Sequence, residues 1–240
     1  MRTSNKILAA IAVVVILIGL GALIGARVVM SRMGTDLREG TAARRIARGD
    51  WIEKEYDFND FNQLNFSGGW RVKVEAGDEY SILLRTPKSL EDNLEVRKKG
   101  EYLMIGTRGL LDMESQHFEA RISMPYLKGL NASGGLDAEL SGFRGEEMIL
   151  EGSGGLNIKA RDCAYTDLWV ETSGGVNADL REMPVKNAHV DASGALHMIL
   201  SMQGGELTGQ INGAGSLEYY GSVSKNTLSV SGVSNIRHRQ

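Results

Sequence analysis

The sequence is poor in cysteine, proline and aromatic residues. Of its 240 residues only Cys163 is a cysteine, three are prolines, and 6% are aromatic. A single cysteine excludes an internal disulfide, and no Cys/His-rich cluster offers a structural zinc site. Glycine is abundant instead, at 30 residues, but no collagen-like triplet repeat accompanies it. Collagen and simple disorder are therefore excluded, and the fold must be stabilised by the burial of apolar side chains.

Basic residues are scarce in most of the chain. Residues 51–240 contain 19 Lys and Arg against 27 Asp and Glu, whereas residues 1–50 contain 8 against 3. The net charge of the longer part is thus −8, and it lacks the basic stripe that binding to phosphates requires. We therefore predict no nucleic-acid partner.

Charged side chains are absent from Ile7–Ala26. These 20 residues match the ~20 that a helix needs to cross a ~30 Å hydrocarbon core. A cleaved signal peptide is the alternative, because Arg2 and Lys6 precede the run, but the run exceeds the usual apolar core of ~7–15 residues. The sequence predicts that residues 1–26 form a cytoplasmic tail and a transmembrane anchor, with the lipid bilayer as partner.

A polar, Arg-rich segment, residues 27–50, follows the predicted anchor. We interpret it as a stalk that can lie against anionic headgroups before the fold begins near Trp51. Its arginines outnumber the basic groups before the span, so the positive-inside rule taken alone places the body in the cytoplasm.

A Ser-Gly motif recurs at a regular interval through the C-terminal half of the chain. Its serine takes the same position in four consecutive copies, namely Ser133, Ser153, Ser173 and Ser193. Two later copies, Asn212–Ala214 and Ser231–Val233, follow at a slightly shorter spacing, and one copy lies far upstream at Ser67–Gly69. Self-similarity at a fixed period of about 20 residues predicts a repeat architecture.

Apolar and polar residues alternate after each motif. The apolar positions of the first copy are Leu136, Ala138 and Leu140. A period of two is typical of a strand with one buried face. One copy cannot bury its own face, so stacked copies ~4.8 Å apart are needed to enclose an apolar interior. We predict an all-β fold in which residues 128–240 form the coils of a parallel β-solenoid (β-helix). Four residues are expected to stack inside it, namely Leu136, Leu156, Val176 and Leu196.

Two columns of polar residues face outward in this arrangement. The first column consists of Asp137, Asn157, Asn177 and His197. The second contains Glu139, Lys159 and Asp179, whose charges alternate in sign. Amide ladders and opposite-charge pairs are favoured between stacked strands. We predict that these side chains form the binding surface for an envelope glycan or protein.

Residues 51–127 differ from the repeats. Turn signals at Ala76–Asp78 and Lys99–Gly100 separate strand-like runs, namely Trp70–Val74, Tyr80–Arg85, Leu94–Lys98 and Tyr102–Gly106. Such runs predict antiparallel hairpins. We expect them to start the sheets and to cap the open end of the solenoid, because terminal units of repeat proteins are usually atypical.

Several segments together carry a family resemblance. They are Phe61–Gly69, Met124–Leu127, the serial Ser-Gly-Gly motifs and Gly213–Gly221. Over residues 52–237 the chain resembles the bacterial family described as putative auto-transporter adhesin, head GIN domain. The resemblance implies a β-solenoid body that is exported or membrane-anchored, and therefore a periplasmic or extracellular location, opposite to the one that the arginine count favours. It supplies no catalytic residues.

The residues themselves predict no catalytic centre, metal site or cofactor. The motif serine recurs in every coil, whereas a catalytic serine is singular and needs a histidine base. The best enzyme interpretation is glycan hydrolysis, which needs two acids ~5–10 Å apart. The candidate acids are Asp137, Glu139 and Asp179. A solenoid brings any outward acids that close, so we predict a non-catalytic binding or scaffolding protein. A glycan-active enzyme and an envelope signalling partner remain the alternatives, and unsealed end strands favour a homo-oligomer.

Overall fold

The computed structural model describes residues 51–108 and 118–239. Within these residues no helix has the length and apolar character needed to cross a membrane. The predicted anchor Ile7–Ala26 and the stalk 27–50 lie outside the described residues and stay predictions.

The described residues form one 11-stranded sheet system and a short 3-10 helix, Lys88–Asn93. The strands are β1 (Trp51–Tyr56), β2 (Gln63–Ala76), β3 (Ser81–Pro87), β4 (Leu94–Lys99), β5 (Tyr102–Thr107), β6 (Phe118–Met124), β7 (Gly129–Ser141), β8 (Arg144–Arg161), β9 (Ala164–Gln203), β10 (Glu206–Ser222) and β11 (Lys225–Arg239).

The repeats form a parallel β-solenoid of about six turns, as the period of the motif predicts. Ser133 lies opposite Ser153, and Ser153 lies opposite Ser173. β10 pairs with β9 at the slightly shorter spacing of the later copies, which places Asn212 opposite Ser193. The strands continue through each Ser-Gly motif instead of stopping there, so β9 alone runs through two successive coils.

The interior of the solenoid is apolar, as the alternation predicts. The four stacked residues of the repeats are buried, with exposed fractions of 3% for Leu136, 4% for Leu156, 7% for Val176 and 3% for Leu196. The pairs that precede the motifs, such as Met148 and Leu150, are also buried. This continuous core stabilises the fold without an internal disulfide, which a single cysteine cannot form.

Each motif bends the strand at its first glycine. Gly154 and Gly174 have φ values of 134° and 137°, a backbone conformation that side chains with a Cβ rarely adopt. A Cβ on Gly174 would also press into the carbonyl oxygen of Gly154 on the preceding coil. The bend therefore needs glycine for its backbone angle and for close stacking.

The first coil, defined as the first that carries the Ser-Gly motif, lies in the N-terminal part of the chain. β2 pairs in parallel with β7, and Ser67 and Gly68 lie opposite Ser133 and Gly134. The isolated upstream motif thus joins the same stack as the later copies, and β5 and β6 pair in parallel with the other side of β2. Residues 77–128 separate β2 from β7 in sequence, yet the two strands stack in register.

The prediction of antiparallel hairpins is correct for one pair of strands and wrong for another. β4 and β5 form an antiparallel hairpin, and its turn contains Gly100 with a φ of 60°. β2 and β3 are separated by β6, which is parallel to β2 and antiparallel to β3. The signal at Ala76–Asp78 marks the end of β2, but alternation within a run does not determine which strand will be its neighbour.

Candidate functional site

The first outward column forms a hydrogen-bonded ladder across successive coils. Asn157 Nδ2 donates to Asp137 Oδ1 at 2.8 Å, and Asn177 Nδ2 donates to Asn157 Oδ1 at 2.8 Å. Arg71 Nε on the first coil donates to Asp137 Oδ2 at 3.4 Å. His197 Nδ1 lies 2.8 Å from Ser216 Oγ on the following coil. These side chains lie at the surface, and each of these contacts links a side chain to one on the neighbouring coil.

The two acids of the second outward column each form an ion pair. Lys73 Nζ lies 3.6 Å from Glu139 Oε2. Arg181 Nη2 and Nε donate to the two oxygens of Asp179 at 2.6 and 2.9 Å. Lys159 lies between the coils that carry Glu139 and Asp179. The structure thus brings all seven predicted surface residues onto one face, in the predicted order.

The Arg181 guanidinium holds the pKa of Asp179 below its ordinary value, and the charge of Lys159 lowers this pKa further. A carboxyl with a lowered pKa contributes stability above the ordinary pKa of ~3.9, and this stability is lost as the pH falls through the lowered value. The ion pair thus stabilises the fold at neutral pH and not in strong acid.

The substitution Arg181→Ala is expected to raise the pKa of Asp179 toward its ordinary value. A carbon-13 NMR titration of the carboxyl carbon measures the shift directly. Arg144→Ala is the matched control, because that guanidinium pairs with Asp162 on another part of the coil. An unchanged Asp179 pKa in Arg181→Ala would show that the bidentate contact does not persist in solution.

A groove of about 560 Å³ follows the bend of the coils. Three of the motif serines, Ser153, Ser173 and Ser193, line it together with a stacked acidic column, Glu151, Glu171 and Asp191. Asn131 Nδ2 donates to Glu151 Oε2 at 2.7 Å, and the backbone N–H of Gln210 donates to Asp191 Oδ1 at 2.9 Å. Our sequence interpretation did not identify this column, although the same alignment of the repeats places these acids in register.

An aromatic pair on the outer surface was also missed. Trp169 is 47% exposed, and its ring centroid lies 4.9 Å from that of His189 on the next coil. His189 Nδ1 lies 2.9 Å from Thr208 Oγ1. The alternation of the strand places Trp169 outward, which is the sequence signal that would have revealed it.

The remaining chemistry of the described residues is sparse. In residues 51–108 and 118–239, no three His, Cys, Asp or Glu side chains are arranged to hold a metal ion. Cys163 is buried, and burial raises the pKa of its thiol. A protonated, buried thiol is a weak nucleophile.

Several solved structures are similar to this chain at low sequence identity. A crystal structure of a putative adhesin from Bacteroides fragilis has a TM-score of 0.59 and 13% identity, covering 79% of this chain and 97% of that chain. A putative adhesin from Parabacteroides merdae has a TM-score of 0.45 at 16% identity, with coverage of 80% and 97%. A putative lipid binding protein from Parabacteroides distasonis has a TM-score of 0.42 at 16% identity, with coverage of 80% and 98%.

Sequence comparisons give one family. A search of curated proteins finds no match. The model of the family described as putative auto-transporter adhesin, head GIN domain, matches residues 60–240, which include every coil of the solenoid.

Proposed function

Because the chain belongs to the family of putative auto-transporter adhesins with a head GIN domain, we propose that it is a non-catalytic, adhesin-like binding or scaffolding protein of the cell envelope. Its binding surface is the outward ladder with the ion-pair column beside it. The observation that carries the proposal is the run of hydrogen bonds from Arg71 through Asp137 and Asn157 to Asn177.

The ladder suits a ligand that repeats along its length. Stacked strands present one polar side chain of each column at every ~4.8 Å. An extended glycan or the edge of a partner protein offers hydroxyl or amide groups at a similar repeat. Because neighbouring side chains already hold one another in place, little side-chain entropy is lost when such a ligand binds.

The carboxylates of this face are poorly suited to hydrolysis. A general acid needs a raised pKa, whereas the pKa of Asp179 is lowered. Asp137 and Glu139 each face a basic side chain of the first coil. These pairings favour binding over turnover, in agreement with the description of the family as putative adhesins.

The proposal extends to location and assembly. Membership of the family favours an exported or envelope protein. We place the body outside the cytoplasm, tethered to the inner membrane through Ile7–Ala26. In the described sheet β11 pairs only with β10, so its free edge supports association with a second copy.

A screen of envelope glycans and envelope extracts against the purified full chain tests the proposal. A bound ligand should be retained without turnover, and Asn177→Ala should weaken its binding about fivefold, the equivalent of one hydrogen bond of ~1 kcal/mol. Thr166→Ala is the control, because Thr166 is exposed elsewhere on β9.

A turnover assay on the same sugars separates binding from catalysis. Hydrolysis that is abolished by Asp137→Asn or Asp179→Asn would overturn the binding proposal in favour of a glycan-active enzyme.

A further inference from the structure

A second outward surface lies on the strand segments that precede the Ser-Gly bends, and Trp169 is at its centre. Ile149 lies opposite Trp169 on one neighbouring coil, and His189 contacts its ring from the other. Trp169 is 47% exposed. A tryptophan face open to solvent has the strongest attraction for a cation among the aromatic side chains.

Two clefts share the Trp169 ring. One has a volume of about 340 Å³ and is lined by Asp167 and Glu206. The other has a volume of about 290 Å³, and its acidic lining consists of Glu147, Glu151, Glu171 and Asp191. Carboxylates therefore lie on both sides of the aromatic ring.

Some of these carboxylates already have basic partners. Lys128 Nζ lies 2.9 Å from Glu147, Lys225 Nζ lies 3.4 Å from Glu206, and His189 Nε2 lies 3.3 Å from Asp191.

Three others have no such partner in the part of the chain that the structure describes. No basic side chain of residues 51–108 or 118–239 lies within 4.0 Å of the carboxylates of Glu151, Asp167 or Glu171. The clefts beside Trp169 thus carry an excess of negative charge.

We propose that Trp169, flanked by Glu151, Asp167 and Glu171, binds the ammonium or guanidinium groups of a basic segment of a partner protein. A cation over the indole face is attracted by the π system of the ring, and its charge neutralises the nearby carboxylates. The apolar stem of a lysine or arginine can pack on Ile149 while its charged end reaches the acids.

The excess of carboxylates in the two clefts favours a cationic partner over a neutral sugar. A pyranose can stack on an indole, but it would cover these carboxylates without neutralising them, which is costly. A basic peptide offers one charge for each acid and can extend along both clefts. This surface is separate from the ladder of the proposed function, so either assignment can fail alone.

Binding of dye-labelled hexalysine to the full chain in a non-ionic detergent, followed by fluorescence anisotropy, tests the proposal. Hexalysine should bind, and added salt should weaken the complex because its charges are screened. Trp169→Ala is expected to lower the affinity about tenfold, Trp169→Phe less, and Glu171→Gln severalfold. Glu55→Gln, on exposed β1, removes the same charge far from the clefts and should have no effect.

Three results would overturn the proposal. The first is no binding of hexalysine to the unaltered chain. The second is equal affinity for the unaltered chain and for folded Trp169→Ala and Trp169→Phe, which would reduce the interaction to net charge. The third is binding of a neutral oligosaccharide such as chitohexaose that depends on Trp169 while hexalysine does not bind, which would assign the surface to a glycan. Circular dichroism establishes that each variant is folded.

Discussion

Gly174→Ala is expected to unfold the solenoid or to destabilise it by several kcal/mol. The φ of Gly174 is 137°, and holding a residue with a Cβ in such a conformation costs about 1–3 kcal/mol. The added methyl would also press into the carbonyl oxygen of Gly154, which is fixed by the sheet on both sides. The coils would have to separate where Gly174 stacks on Gly154.

The neighbouring glycine supplies the control. A Cβ on Gly175 meets nothing within 4 Å, and the same column holds Ala195 and Ala214 in later coils. Gly175→Ala should therefore change the free energy of unfolding by less than about 1 kcal/mol. Urea denaturation followed by circular dichroism measures both variants, and equal midpoints for the two would show that the bend does not require glycine.

Leu156→Asp is expected to have the second large effect. Leu156 is 4% exposed and lies between Leu136 and Val176 in the stack. An unpaired carboxylate in this apolar interior would have to be desolvated or protonated, and either outcome costs several kcal/mol. The domain should fail to fold at neutral pH.

Thr166→Asp introduces the same residue at an exposed position of β9 and should fold normally. Circular dichroism and thermal melting compare the two variants. A stable Leu156→Asp protein with an unchanged spectrum would contradict the inward position of this column.

The solenoid could be predicted because the sequence pattern that encodes it is periodic. The serine spacing determines which residues stack, and the alternation determines which of them face inward. Both can be found in the sequence without knowledge of distant contacts. For this reason Leu136 and Asp137 were placed on the correct sides of the strand.

The N-terminal region was less predictable because its pairing is not periodic. The Ser67–Gly69 copy relates β2 to the repeats, but nothing in the local sequence of β2 shows that β5 and β6 will be its neighbours on the other side. Arg71 and Lys73 were consequently missed, although they extend the two polar columns by one coil.

The candidate surfaces, too, could be predicted only in those features that follow from the repeat. The order of the ladder follows from the repeat, whereas its strength depends on side-chain rotamers that only coordinates show. The 20-residue period places Trp169 and His189 in one outward column, but the contact between their rings depends on side-chain rotamers, which the period does not determine.

The change of coil length near the C-terminal end has an evolutionary consequence. The offset between coils shortens where β10 stacks on β9, yet Gly213 remains aligned on Gly194. Residues 77–128 separate β2 from β7 in sequence, yet the two strands remain in register. Insertions and deletions are thus absorbed away from the Ser-Gly bend. Related proteins can therefore gain or lose whole coils, or carry insertions between them, while the polar columns stay continuous. Duplication of a coil would lengthen the binding surface without changing the contacts within it.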